Sequence, residues 1–146
     1  MLRAITIYQP WAAFLVAGLK RYETRSWSTG HRGEIAIHAS KRAPTPEELA
    51  DVYEALTRLN RRSDAERLLS RGAVVGVATL TECTPTIWTK IDDDEARLGD
   101  FSGDRFAWRM SGPVPLDEPV PCRGRQRIWT LDEETERAVR DRSYPF

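Results

Sequence analysis

Lys20, Glu23 and Arg25 bring an ammonium, a carboxylate and a guanidinium into six consecutive residues, within a stretch that reads ITIYQPWAAFLVAGLKRYETRSWSTGHRGEIAIHAS from Ile5 to Ser40. A lysine can hold a phosphate or polarise a carbonyl. A carboxylate can accept from the exocyclic amine of a nucleobase, and an arginine beside it can fix its orientation. On an extended segment Glu23 and Arg25 share one face and Tyr22 and Thr24 the other, because side chains alternate. The plain alternative is a surface ion-pair ladder contributing at most about 1 kcal/mol. If the segment carries out catalysis, Lys20 and Glu23 are the first candidates, with His38 and Thr24 behind them.

Around this triad lie groups that suit a polyanion or a base. Trp11 is either a core anchor or a stacking platform, and stacking on an aromatic is worth about 1–3 kcal/mol per base. Trp27 and Trp108 carry the same two readings, with the core favoured. His38 has the opposite parity to Ile35 and Ile37, which turns it away from the core; it is a satisfied structural histidine or, facing a cleft, an acid/base. Arg123, Arg125 and Arg127 alternate, so an extended backbone would put all three on one face, as a solvated edge or as a phosphate track that Lys41 and Arg42 extend. The candidate ligand-contact set is therefore Gln9, Trp11, Lys20, Glu23, Arg25, His38, Ser40, Lys41, Trp108, Arg123 and Arg125. Two histidines and two cysteines without ligand spacing call for no metal, and nothing calls for a cofactor.

Composition limits what such a site can serve. The chain has 146 residues, room for one cored domain. Lys+Arg and Asp+Glu both total 22, which argues against sequence-blind binding of long duplexes, since that needs many uncompensated phosphate contacts. The charge is uneven, however: residues 20 to 42 hold six Lys/Arg and two acids, while Asp92-Asp93-Asp94-Glu95 is an acidic run. A neutral chain with one basic face can still hold a short or single-stranded anionic ligand. No apolar run is long enough to span a membrane. The N-terminal residues lack signal-peptide order, so the expected compartment is the cytoplasm, where Cys83 and Cys122 would be free thiols.

These residues must be positioned by short elements. Ala4 to Tyr8 reads as a strand. Pro10 suits a first helical position ahead of WAAFLVAGL, and Gly18 can close that helix in the left-handed conformation. Residues 21 to 27 and 34 to 39 read as strands. Thr45-Pro46-Glu47-Glu48 is a capping box opening a helix with Leu49, Val52, Tyr53 and Leu56 at helical spacing. Ser63-Asp64-Ala65-Glu66 repeats the capping pattern. Ala73 to Cys83 is the strongest strand, with Gly76 marking a bulge or close approach. Residues 84 to 104 read as a long polar loop with Ile87 and Trp88 as possible anchors. A strand at 105 to 110, a proline-rich turn through Pro121 and a closing strand at 127 to 131 complete the sheet. The expected class is α+β, β-rich: a small, mostly antiparallel barrel with two or three peripheral helices over residues 1–131, and a charged C-terminal helix or tail over 132–146.

Gln9-Pro10-Trp11, the Gly18, Lys20, Glu23, Arg25 and Trp27 series, and the run IAIHAS from Ile35 to Ser40 together resemble the ASCH domain, in its coactivator-like branch. Phe106-Ala107-Trp108 and the run from Glu118 to Gly124 are similar to its closing segments, so the resemblance covers about residues 3 to 131. It implies a PUA-like barrel, a fold associated with RNA and modified-nucleotide recognition, with a cleft lined by the helix end and the Lys-Glu-Arg strand. Some members remove the acyl group of N4-acetylcytidine with a threonine, a lysine and a glutamate, and others cleave RNA. Lys20 matches the family lysine. The amidohydrolase threonine falls three residues later, where this chain has Glu23; Thr24 lies one place on and on the opposite strand face. The leading expectation is a binder of RNA, single-stranded nucleic acid or a modified nucleoside. A metal-independent hydrolase (amidohydrolase or ribonuclease) and a module for a protein partner are the alternatives.

Overall fold

The computed structural model describes residues 1–143. A mixed six-stranded sheet curls into a half-barrel, with strand order β2-β5-β4-β3-β1-β6. The strands are β1 (Arg3–Ile7), β2 (Tyr22–Arg25), β3 (Gly33–Ala39), β4 (Ala73–Pro85), β5 (Phe106–Pro121) and β6 (Ile128–Thr130). β1 and β3 are parallel and the other pairings antiparallel. Among the described residues five α-helices accompany them: α1 (Trp11–Val16), α2 (Pro46–Arg58), α3 (Ala65–Leu68), α4 (Asp93–Arg97) and α5 (Glu133–Ser143). α1, α2 and α3 are the expected two or three, α5 is the expected C-terminal helix, and α4, little more than a turn long, is the addition. Residues 144–146 of the expected tail lie outside the described residues.

Alternation along the strands feeds two apolar clusters. Ile5, Ile7, Ile35 and Ile37 pack in one with residues of α1, α2 and α3. Leu2, Ala4, Ala36, Val74 and Val77 pack in the other with Val139 of α5. β1, β3 and the first half of β4 are thus buried on both faces, and the small Ala4 and Ala36 leave room on the α5 side. α1 lies close over β4: a Cβ on Gly76 would fall 2.5 Å from Val16 Cγ1, and the β4–β5 register shifts beside it. The signal in the sequence for close approach at Gly76 is this contact.

Local chemistry sets the helix ends. The capping box at Thr45 and Glu48 is formed in both directions, at 3.1 and 2.7 Å. The similar pattern at residue 63 is not: a 3-10 turn, Arg62–Asp64, occupies it. The Asp64 carboxylate instead faces Arg61 and Arg67 at 3.0 and 3.2 Å. Pro10 precedes α1 rather than opening it, after a cis Gln9–Pro10 bond.

Two further expectations give way. The proline-rich turn is the continuation of β5, which runs unbroken to Pro121. β2 pairs only with Phe106 to Arg109, so the rest of β5 has one free side where missing N–H groups cost nothing. The long loop at 84–104 carries the end of β4, a 3-10 turn (Thr86–Trp88) and α4, whose Asp92 caps the Glu95 N–H at 2.8 Å.

Candidate nucleotide-binding cleft

β2 and β6 end the sheet, and the curl brings the two ends together. Arg25 of β2 donates from Nη2 to the Thr6 carbonyl of β1 at 2.8 Å. The Arg127 guanidinium, just before β6, lies 4.1 Å from the centroid of the Trp27 ring, just after β2. No ladder joins β1 to β2. The seam opens instead into a cleft of about 550 Å³. β1 and its continuation contribute Thr6, Ile7 and Tyr8, α1 contributes Trp11, and the β2 segment contributes Glu23, Thr24, Arg25 and Trp27. Arg105 and the 125–127 loop complete it.

Glu23 is the carboxylate of this cleft, and its orientation is fixed. One oxygen accepts from Arg25 Nε and Nη2 at 3.1 and 2.9 Å. The other accepts the Thr24 N–H at 3.2 Å. A carboxylate has about four lone-pair positions, so three are taken and one is left for a donor from a ligand. The alternation that puts Glu23 and Arg25 on one face creates this fork. Arg105, Arg125 and Arg127 supply positive charge around it, and Arg42 stacks 5.0 Å from the centroid of the Tyr8 ring at the cleft rim. Thr24 also borders the cleft; its hydroxyl and carbonyl accept from Arg105 at 3.4 and 2.8 Å.

Lys20 is elsewhere. The Gly18 turn (φ +80°) ends α1 and sends the chain toward β2, but Lys20 is only 2% exposed and does not line the cleft. Its Nζ has no hydrogen-bond partner among the described residues. Burial lowers its pKa below the ordinary lysine value, against the opposing pull of Glu23 and Glu95.

The other candidates divide between cleft and scaffold. Trp11 and Arg125 line the cleft. Gln9 is fully buried: its amide donates to the Leu68 and Ser70 carbonyls at 2.7 and 2.8 Å and accepts the Ala13 N–H at 3.0 Å, tying α1 to α3. His38 is buried between the Thr6 hydroxyl (3.2 Å) and the Cys122 carbonyl (2.8 Å), and burial lowers its pKa. Trp108 is enclosed, edge-on to Trp27 at 4.7 Å. Ser40 accepts the Arg42 N–H at 3.0 Å. Lys41 and Arg123 are exposed outside the cleft lining. The expected arginine alternation stops at Arg127, whose φ of +61° breaks the extended run and aims it at Trp27.

Thr6, Tyr8, Gln126 and Arg105 also line the cleft without having been singled out. For Thr6 and Tyr8 the signal was present, since they alternate with the core residues Ile5 and Ile7. Arg105 had none, because its position follows from β5 pairing with β2.

The ASCH domain description matches residues 5–136 of the chain. Activating signal cointegrator 1 of Homo sapiens is 31% identical over 132 residues, 89% of this chain and 22% of that protein, and its Mus musculus counterpart gives the same figures. The chain thus spans about a fifth of the length of these relatives. A crystal structure of an ASCH protein from Zymomonas mobilis superposes with a TM-score of 0.57 at 13% identity, covering 97% of this chain and 95% of that one. A mutant form of the same protein gives 0.57 at 14% identity, with 97% and 98% covered.

Proposed function

The chain belongs to the ASCH domain family, and from that premise we propose that it binds single-stranded RNA or a modified nucleoside in the seam cleft. One observation carries the reading: the open seam gathers one oriented carboxylate, four arginines and the rings of Tyr8, Trp11 and Trp27 around a volume suited to a nucleotide. The free lone-pair position of Glu23 accepts one N–H from a base edge. Trp11 or Tyr8 stacks the base, and Arg105, Arg125 and Arg127 meet phosphate. Arg42 and Lys41 continue the positive charge beyond Tyr8. Gln9, His38 and Trp108 act by holding the walls, since their polar atoms are used internally.

The test is fluorescence anisotropy of a short labelled single-stranded RNA against wild type, Glu23→Gln and the double variant Arg125→Ala/Arg127→Ala, from low to moderate salt. Binding that falls with salt and weakens in both variants supports the reading. Absence of binding, or binding indifferent to both variants, overturns it for RNA and turns the search to free nucleosides.

A second reading has its own observation. Ile87 and Trp88 are 67% and 76% exposed beside the acidic run, and this apolar, negative surface suits a protein partner better than a phosphate chain. The hydrolase reading rests on Lys20 being near enough to Glu23 to feel its charge; it requires Lys20 to become accessible from the cleft.

A further inference from the structure

The segment from Asp92 to Phe101 closes over residues 20–22 and holds them by opposite charge. Asp92 pairs with Arg21 Nη2 at 2.7 Å. Glu95, itself buried, accepts the consecutive backbone N–H groups of Arg21 and Tyr22 at 2.8 and 3.4 Å, and Arg21 Nε lies 3.5 Å from it. Phe101 meets the Tyr22 ring edge-on at 6.2 Å and lies 5.7 Å from Lys20 Nζ. Gly99 completes the roof: a Cβ there would fall 2.7 Å from Nζ.

Two features of this closure are informative. Consecutive N–H groups aimed at one carboxylate form an anion-binding concavity, here at the entry to β2, where Arg21 precedes the strand and Tyr22 begins it. The nearby ammonium of Lys20 is buried without an acceptor among the described residues, an unfavourable arrangement for a group with no task. An acid from a surface segment thus occupies a site made for an anion, beside a cation that waits for one.

We propose that Arg21, Tyr22 and Lys20 form a second anion site, filled in the resting chain by its own Glu95, and that a phosphate oxygen of an external ligand replaces Glu95 when the Asp92–Phe101 segment lifts. The segment then acts as an internal competitor, and lifting it uncovers the Lys20 amine. The site itself stands on the contacts above; only the ownership of the phosphate, a nucleotide in the neighbouring cleft, rests on the proposed function.

The chain has three lysines, and Lys41 and Lys90 are exposed references. The experiment measures acetylation of each lysine by N-hydroxysuccinimidyl acetate with peptide mass spectrometry, in wild type and Glu95→Gln, in sodium chloride and in inorganic phosphate of matched ionic strength. Wild-type Lys20 is expected to react at least about tenfold more slowly than the references, and Glu95→Gln to remove most of that protection. Phosphate is expected to restore it in Glu95→Gln, while chloride does not. Continued protection of Lys20 in a folded Glu95→Gln protein overturns the lid, and exposure that phosphate leaves unchanged overturns the anion site. Should Glu95→Gln fail to fold, Asp92→Ala, which cuts the surface pair and the α4 cap, is read by the same two criteria. Loss of RNA binding with phosphate protection intact would reject the cleft reading and keep this site, and the converse result would do the reverse.

Discussion

Glu23 and Lys20 stand three residues apart in sequence and in opposite surroundings. The seam around Glu23 is open, and its carboxylate is held in place by Arg25 and the Thr24 N–H. The chamber around Lys20 is closed, and its central cation has no acceptor among the described residues. One short segment serves both: β2 borders the cleft on the side toward β1, and α4 docks the Glu95 carboxylate on the N–H groups of Arg21 and Tyr22 where the chain enters that strand. The lesson is that charge of opposite sign is stored in different ways, the carboxylate oriented and accessible, the ammonium desolvated and covered.

The contrast can be broken most severely at Glu23. Glu23→Ala leaves the half-buried Arg25 guanidinium without its carboxylate and frees the Thr24 N–H; a stability loss of about 2–4 kcal/mol is expected in urea unfolding, together with loss of ligand binding. Next comes the rim. Arg125→Ala/Arg127→Ala is expected to weaken single-stranded RNA binding by tenfold or more, and to reduce the slope of log K against log salt by about 0.7 per lost phosphate contact, with stability little changed.

Lys20→Met sharpens the comparison by reversing sign. It replaces a covered ammonium by an apolar chain of similar length, so a gain of about 1–2 kcal/mol in unfolding free energy is expected. A loss of stability there would mean that Lys20 is satisfied by an acceptor in solution and that the chamber is not closed.

The smallest expected effect concerns His38. Its pKa is lowered by burial from the ordinary 6.5, so below that value the unfolded chain binds more protons than the folded one. Stability is then complete above about pH 6.5 and falls as pH drops from there toward the folded pKa. Thermal melts of wild type against His38→Gln should show this slope in the wild type and a shallower one in the variant. An equal slope would assign the pH response to other groups.

Much of this was readable from local pattern. The shared face of Glu23 and Arg25, the Thr45–Glu48 capping box, the buried strand at 73–83 and the close approach at Gly76 each depend on residues a few positions apart, or on side-chain size at one position. His38 shows where such reading stops: its parity is opposite to Ile35 and Ile37, yet it is buried rather than turned out of the core, because the Cys122 carbonyl that covers it comes from 84 residues away. The 84–104 segment shows the same limit, because a polar, acidic stretch reads as a loop until Arg21 and Tyr22 supply donors for Glu95.

The sequence by itself determined the alternation and capping that form the elements, and with them the pairing of Glu23 with Arg25, since these rest on backbone periodicity and neighbouring hydrogen bonds. Only the tertiary structure decided that the sheet's ends meet without pairing, that Arg105 joins Thr24 across 81 residues, that Arg127 covers Trp27, and that Lys20 is roofed by Gly99 and Phe101. Those contacts depend on strand order and curl, which are fixed by burial of two apolar clusters over the whole chain and leave no local signal at the residues they bring together.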